Sequence, residues 1–170
     1  QANLGTLFVG TSRETADFAV DCVEMWWLEE GRHRYPGARE LAVLADGGGA
    51  NGSQNRAWKL GLARRLAERH GLSVTVAHYP PGTSKWNPIE HRLFSAISKN
   101  WAGRPLDSYE TVLNYIRTTT TSTGLKVTAH LVDRNYAKGV KIADAQMRAL
   151  PITMHASLPR WNYTLAPAAA

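Results

Sequence analysis

Two spacings of hydrophobic residues alternate along the chain and predict alternating strands and helices. Short apolar runs over 6–10 and over Glu40–Ala45 predict two strands, and the unbroken apolar character of the second predicts that it is buried. Residues 72–79 carry apolar side chains at every second position and predict a third strand, which the following prolines end.

Between these strands, apolar residues recur every three or four positions, a spacing typical of helices. It predicts a helix over 15–34, with Thr11 or Ser12 as its N-cap, and a second helix over 53–70. Gly71 follows the second helix where a left-handed residue commonly ends one.

The second half of the chain has weaker patterns. They predict helices over 88–101, from near Ser108, and over 143–150, a polar loop or fraying helix end over 118–123, and a strand over Lys126–Val132. Strands that alternate with helices favour a layered α/β fold. Because no repeat or linker divides the chain, one domain is predicted.

Composition narrows the class of protein. The chain has 170 residues, 44% of them hydrophobic, and a net charge of +6, which favours a globular domain that associates with polyanions such as nucleic acid. A single cysteine, Cys22, excludes an internal disulfide and a Cys-rich zinc site, and its apolar neighbours predict a buried, inert thiol. With neither a membrane-length apolar run nor a signal-peptide pattern, a cytoplasmic location is expected.

Asp46 follows the predicted strand Glu40–Ala45 and precedes three glycines, Gly47, Gly48 and Gly49. A carboxylate at a strand end with no side chains around it has room for a metal ion and a phosphodiester, and Mg²⁺ needs few protein carboxylates. Asp-Gly is also a common turn pair. The residues alone therefore leave two readings of Asp46, metal ligand and turn residue.

Glu90 is the candidate for a second carboxylate. It follows Asn87 and Pro88, which suit the N-cap and the first position of a helix, so Glu90 at the third position could bond back to the cap. The same first turn could direct the carboxylate towards the strand ends. Capping and metal binding both remain open.

The residues around Glu90 carry charge and an aromatic ring. Lys85 could hold a phosphate, and Trp86 could stack on a base or anchor the loop in the core. His91 suggests acid/base chemistry, although a packed or capping histidine is the plainer reading. On the second helix, a further set of cations is either a DNA face or a solvated surface: Arg56, Lys59, Arg64 and Arg65.

Two long segments, 44–53 (LADGGGANGS) and 78–94 (HYPPGTSKWNPIEHRLF), carry a family resemblance, with shorter matches at 101–106, 108–111 and 123–127. Through them the chain resembles the Rhodopirellula-type DDE transposases of bacterial insertion sequences. The resemblance implies an RNase H-like (ribonuclease H/integrase-type) layered α/β fold that lacks its first strands. It assigns 1–165 to the C-terminal part of one catalytic domain and leaves 166–170 as a disordered tail.

The resemblance also implies site residues. Asp46 matches the second and Glu90 the third acidic metal ligand of the family, whereas no position matches the first, and Asp17 and Asp21 are expected to be solvent-facing or capping residues. The implied cofactor is Mg²⁺, with Mn²⁺ as an alternative. The implied DNA contacts are Lys85, Trp86, Arg92, Arg104 and Asn51.

The implied function is DNA transposition, by metal-dependent strand cleavage and strand transfer at insertion-sequence ends. The implied partners are transposon ends and target DNA, bound by a homo-oligomer in the nucleoid of a bacterial cytoplasm. An RNase H-like nuclease without strand transfer and a non-catalytic DNA-binding remnant are the alternatives. The absent first strand would leave Glu40–Ala45 with an exposed edge and 6–10 without its neighbour, so the chain alone is expected to be marginally stable, aggregation-prone or completed by another segment.

Overall fold

Two sheets organise the computed structural model, which describes residues 3–80 and 82–167. Strand β1 (Leu4–Gly10) pairs in parallel with β4 (Lys126–Val132), and the register runs from Leu4 opposite Lys126 to Gly10 opposite Val132. The other sheet has the order β2-β3-β6-β5, formed by Glu40–Ala45, Ser73–His78, Tyr163–Leu165 and Ile152–Met154. In it β2 and β3 are parallel, whereas β6 is antiparallel to both β3 and β5.

The described chain divides into two compact units. The β1–β4 unit contains residues 3–12 and 82–135, and the four-stranded unit contains residues 13–80 and 136–167. The assignment of 1–165 to one domain stays a prediction. Of the predicted tail, residues 168–170 lie outside the described residues.

Two long helices cover the four-stranded unit. Helix α1 (Ala16–Trp26) continues through a π-helical segment, Trp27–Gly31, into α2 (Arg32–Arg34), and α3 (Arg56–Leu62) continues as a π-helical segment, Ala63–Glu68. The short α6 (Asp144–Arg148) precedes the β5–β6 hairpin. The three- and four-residue spacing of apolar side chains directs one face of each long helix into the core. The fully buried members of this core include Val20, Leu62, Leu66, Leu72, Val74, Val76, Tyr163 and Leu165.

The β1–β4 unit is built in the same way. A π-helical segment, Glu90–Phe94, leads into α4 (Ser95–Asn100), and α5 (Tyr109–Arg117) begins at the predicted Ser108, whose side chain accepts a hydrogen bond from the Thr111 amide at 3.1 Å. Apolar side chains of these helices and of β4 form a separate core: Leu93, Ile97, Leu113, Ile116, Leu125, Val127 and Ala129.

The predicted N-caps of α1 were wrong. Thr15 is the cap, because its hydroxyl accepts a hydrogen bond from the Phe18 amide at 3.2 Å. Thr11 and Ser12 instead donate to Asp133 and to the Arg134 carbonyl beyond the end of β4. Their hydroxyls therefore extend the β1–β4 pairing beyond its last residues.

The prediction of β2 was correct in its bounds and wrong in its burial. Exposed and half-buried residues alternate along the strand, Leu44 is 67% exposed, and Ala45 is its buried residue. Among the described strands, β2 pairs with β3 alone and forms the edge of the sheet. The sequence pattern failed because an apolar run does not distinguish a buried strand from one that leaves a face open.

The β5–β6 hairpin was not predicted. Its strands have three residues each, too few for a periodic pattern, yet Tyr163 and Leu165 are fully buried against β3. None of the described helices is long and apolar enough to cross a membrane.

Candidate active site

Asp46 lies one residue beyond β2, in an exposed loop. Its Oδ1 atom accepts a hydrogen bond from the Gly48 amide at 3.0 Å, and Gly47 between them has φ = +78°, which glycine adopts without strain. Asp46 is therefore a turn residue, as one of the two readings predicted. Its Oδ2 atom has no hydrogen-bond partner among the described residues, so the turn leaves part of the carboxylate open.

Asn55 fixes the far side of this loop. Its side-chain amide donates to the carbonyls of Gly49 and Ala50 at 3.0 and 3.1 Å, and its Oδ1 atom accepts from the Trp58 amide at 3.2 Å. Asn55 is thus the N-cap of α3, and the predicted start of that helix at residue 53 was wrong. The loop extends to Asn55 because one side chain serves both the loop and the helix.

His78, the last residue of β3, holds the loop from the sheet. It is 6% exposed, and its ring nitrogens lie 2.8 Å from the Asn51 carbonyl (Nε2) and 2.6 Å from the Trp161 carbonyl (Nδ1). A carbonyl oxygen only accepts, so the ring nitrogen is the donor in a hydrogen bond to either carbonyl. His78 therefore connects the Asp46 loop to the turn that leads into β6.

Three side-chain oxygens border the space beside Gly48. A Cβ atom on Gly48 would lie 3.3 Å from Asp46 Oδ1, 3.7 Å from Asp46 Oδ2 and 3.7 Å from Asn51 Oδ1. Asn51 Oδ1 is buried and has no hydrogen-bond partner within residues 3–80 and 82–167. Carboxylate and amide oxygens are the donors that Mg²⁺ and Ca²⁺ prefer. No group of three His, Cys, Asp or Glu side chains placed to hold a metal occurs within residues 3–80 and 82–167.

Glu90 lies in the first turn of its helix, in the β1–β4 unit, whereas Asp46 belongs to the four-stranded unit. Asn87 caps this helix, since its Oδ1 atom accepts from the Ile89 amide at 3.2 Å. Within the described chain, the exposed Glu90 carboxylate has no hydrogen-bond partner, so the predicted bond back to the cap does not form. The capping explanation for Glu90 is thereby removed, and its role as a metal ligand stays a prediction.

Trp86 is 67% exposed, so the reading of this ring as a core anchor was wrong. The Lys85 ammonium lies 5.2 Å from the centroid of the Trp86 ring. His91 Nε2 lies 2.8 Å from the Lys85 carbonyl and joins the turn to the helix that follows. His91 thus packs against a backbone carbonyl, which agrees with the plainer of its two readings.

A cleft of about 360 Å³ with a basic lining lies on the same helix. Arg92 and Lys99 are exposed and have no ion-pair or hydrogen-bond partner for their side chains among the described residues. Arg104, outside the cleft, is exposed and equally unpaired within the described ranges. The polar donors of the cleft are partly used internally, since the Asn100 amide donates to the Tyr115 carbonyl at 2.7 Å.

The basic residues of the second helix do not form one surface. Arg56 pairs with Asp144 at 2.5 Å, and the Lys59 ammonium lies 4.9 Å from the centroid of the Tyr163 ring, where burial lowers the pKa of the lysine. Arg64 is exposed. Arg65 binds Asp21 and Glu24 on α1, so neither predicted reading applies to it.

Asp21 was predicted to be solvent-facing or capping, and this was wrong. Asp21 and Glu24 are each 3% exposed. Besides Arg65, the Tyr136 hydroxyl donates to Asp21 at 2.6 Å and Arg69 binds Glu24 at 2.8 Å. Asp17, in the first turn of α1, is half-buried. The buried ion pairs connect α1 to the segment that follows α3.

Sequence reasoning missed two residues that shape the Asp46 loop, His78 and Asn55. A signal for Asn55 existed, because it precedes by three residues the first buried position of the helix, Trp58. No local signal marks His78, since its partners lie 27 and 83 residues away.

Comparison with known protein families gives a match that includes both the Asp46 loop and the Glu90 helix. Residues 1–167 match the Rhodopirellula transposase DDE domain. Neither the curated proteins nor the solved structures gave a match. Since the match covers nearly the whole chain, including the Asp46 loop and the Glu90 helix, the protein belongs to the Rhodopirellula transposase DDE domain family.

Proposed function

We propose that the chain is the catalytic part of a DDE transposase that cleaves DNA at insertion-sequence ends and joins the cut strand to a target. In this proposal Asp46 and Glu90 are the second and third acidic metal ligands. The observation that carries it is the open Asp46 carboxylate, which ends β2 in a loop fixed by Asn55 and His78. A catalytic ligand needs an open carboxylate on a fixed backbone. Because the carboxylate is already held in position, little free energy is spent on ordering it during the reaction.

The divalent cations of such a site would be Mg²⁺, or alternatively Mn²⁺. Asp46 and Glu90 are the residues of this chain that would hold them. Bound there, the cations would supply a polarised phosphoryl oxygen and an activated water or 3′-hydroxyl. The chain itself contributes the fixed orientation of Asp46 and a Glu90 carboxylate that has no hydrogen-bond partner among the described residues.

The fold proposed for this domain is RNase H-like. In support, β2 and β3 are parallel, a helix connects them, and Asp46 follows the carboxyl end of β2. One edge of β2 has no partner among the described strands, and this edge and the exposed Leu44 leave space for a further strand beside it. We expect this strand, if the encoded protein contains it, to carry the first acidic ligand.

DNA contacts are assigned to the charged and aromatic surface of the β1–β4 unit. Trp86 presents an exposed ring that can stack on a base, and Lys85, Arg92 and Arg104 can neutralise phosphates. Asn51 is proposed as a contact through its amide group. Assembly as a homo-oligomer on DNA and a nucleoid location in the bacterial cytoplasm complete the proposal and rest on the family alone.

Metal-dependent cleavage of DNA that carries the element's ends tests the central assignment. The assay uses the protein encoded by the complete reading frame that contains this chain, with Asp46→Asn and Glu90→Gln. We expect cleavage and joining to fall by at least 10³-fold in each variant. Strand transfer is measured alongside cleavage, so that a nuclease that cuts without joining is recognised.

Two variants serve as controls. Glu110→Gln changes an exposed carboxylate in the first turn of α5, as Glu90 lies in the first turn of its own helix, and Glu68→Gln changes an exposed carboxylate of the four-stranded unit. Both should retain native activity. Unchanged cleavage in Asp46→Asn and Glu90→Gln would refute the assignment.

A further inference from the structure

The Asn51 side chain carries a buried acceptor that no described residue pairs with. Its Oδ1 atom is shielded from solvent and receives no hydrogen bond from the part of the chain that the structure describes, whereas its backbone carbonyl is bound by His78 at 2.8 Å. Buried polar atoms are nearly always paired, and leaving one unpaired costs about 1–3 kcal/mol. Such an atom beside a candidate active site calls for a missing partner.

The position of this oxygen indicates what the partner is. Asn51 Oδ1 and both carboxylate oxygens of Asp46 border the space that a Cβ atom of Gly48 would occupy. All three atoms are acceptors. A DNA phosphate is excluded as the partner of Asn51 Oδ1, because its oxygens are also acceptors. A cation satisfies both side chains at once.

We infer that Asn51 supplies a neutral oxygen donor to the divalent cation that Asp46 holds, an inference that rests on the function proposed above. The loop supports this role through its rigidity. Because His78 fixes the Asn51 carbonyl and Asn55 fixes the two residues before it, the Asn51 side chain is held beside Asp46. Gly48 keeps the space between the two side chains free.

The competing arrangement has the Asn51 amide reversed, with its NH₂ group donating to the Asp46 carboxylate. In that case Asn51 would orient Asp46 without contacting the cation. The two arrangements differ in what an aspartate at position 51 does. If residue 51 binds the cation, the aspartate adds a negative charge to the site and keeps the cation bound. If residue 51 donates to Asp46, the aspartate repels Asp46 and the hydrogen bond between the two side chains is lost.

Mn²⁺ binding measured by electron paramagnetic resonance tests the inference without an activity readout. The titration uses the protein of the complete reading frame and compares the native protein with Asn51→Ala, Asn51→Asp and Asp46→Asn. Gln54→Ala, which removes an exposed amide three residues further along, is the matched control. Circular dichroism checks that each variant is folded.

We expect Asn51→Ala to weaken Mn²⁺ binding about tenfold, the lower end of the range for partners of a metal site. Asn51→Asp should bind at least as tightly as the native protein, and Gln54→Ala should be unchanged. If Asp46→Asn loses Mn²⁺ while Asn51→Ala stays within twofold of native, the inference is wrong and the proposed function stands. If Asn51→Ala does not fold, weaker binding by Asn51→Asp overturns the inference; if Asp46→Asn retains Mn²⁺, the inference and the role of Asp46 both fail.

Discussion

The acidic cluster on α1 and the Asp46 loop place the same kind of side chain in opposite settings within one unit. Asp21 and Glu24 are buried and bound by cations and a hydroxyl, whereas Asp46 is exposed and receives one backbone donor. A carboxylate whose lone pairs are used by its own protein holds elements together. One that keeps them open is available to a ligand.

The two settings also differ in how much the removal of the carboxylate changes the free energy of unfolding. A carboxylate removed from water needs charged or hydrogen-bonding partners, and deleting it leaves those partners uncompensated. An exposed carboxylate remains solvated, so its removal changes folding little. Mutations in the buried cluster should therefore lower the free energy of unfolding, whereas mutations in the Asp46 loop should weaken ligand binding.

The largest effect is expected at the buried cluster. Glu24→Ala should lower the free energy of unfolding by about 3 kcal/mol, the low end for breaking a buried ion pair, because Arg65 and Arg69 are partly exposed and recover some hydration. Urea denaturation followed by circular dichroism measures the change. The control is Glu68→Ala at an exposed position; equal stability of the two variants would show that the cluster does not hold the helices together.

A smaller loss is expected where the loop meets the sheet. His78→Ala leaves the Asn51 and Trp161 carbonyls without their buried donor, which should cost about 2 kcal/mol. Amide chemical shifts of residues 47–52 should change as well, because the loop loses its anchor. His33→Ala, at an exposed histidine, controls for the loss of the side chain. Native-like shifts in His78→Ala would mean that Asn55 alone fixes the loop.

Elements that depend on local sequence patterns could be predicted from the sequence. Strand β4 and the bounds of β2 were predicted correctly, since both follow from local patterns of apolar residues and turn signals. The helix over 53–70 was predicted from the spacing of its apolar residues, and Trp58, Leu62 and Leu66 in it are all buried. Asn87 was recognised as a cap because a cap acts over only two or three residues.

Features that depend on contacts between residues far apart in the sequence could not be predicted in this way. Asp21 could not be recognised as buried, because its partners Arg65 and Tyr136 are 44 and 115 residues away. The burial of β2 depends on whether another element packs on each of its faces, which no pattern within β2 reveals. The structure agrees with the turn reading of Asp46, one of the two that the sequence left open, but the burial of the Asn51 Oδ1 atom depends on how the loop folds back on itself.

A pH effect of modest size is expected from Cys22, a half-buried residue of α1. Burial raises the pKa of its thiol to about 12. Between the ordinary pKa of about 9 and pH 12, the folded chain keeps this proton while the unfolded chain releases it, so stability falls as pH rises. The loss should stay below about 1 kcal/mol per pH unit, since the thiol is only partly buried.

Native Cys22 should also resist iodoacetamide at pH 8 and react in urea. Rapid native alkylation would contradict this assignment, and Cys22→Ala should remove both effects.

The smallest change in stability, and the sharpest test of the contrast, is expected at Gly48. Gly48→Ala adds a methyl group 3.3 Å from Asp46 Oδ1, whereas Gly49→Ala meets no described atom within 4 Å. Neither glycine has a positive φ, so both variants should unfold within about 1 kcal/mol of the native protein, the range for glycine replacements that fit the backbone. Their Mn²⁺ affinities should differ, because only the methyl group at position 48 fills the space between Asp46 and Asn51. Equal Mn²⁺ affinity in the two variants would place the cation elsewhere on the Asp46 carboxylate, and a large loss of stability in Gly48→Ala would mean that this space serves folding rather than a ligand.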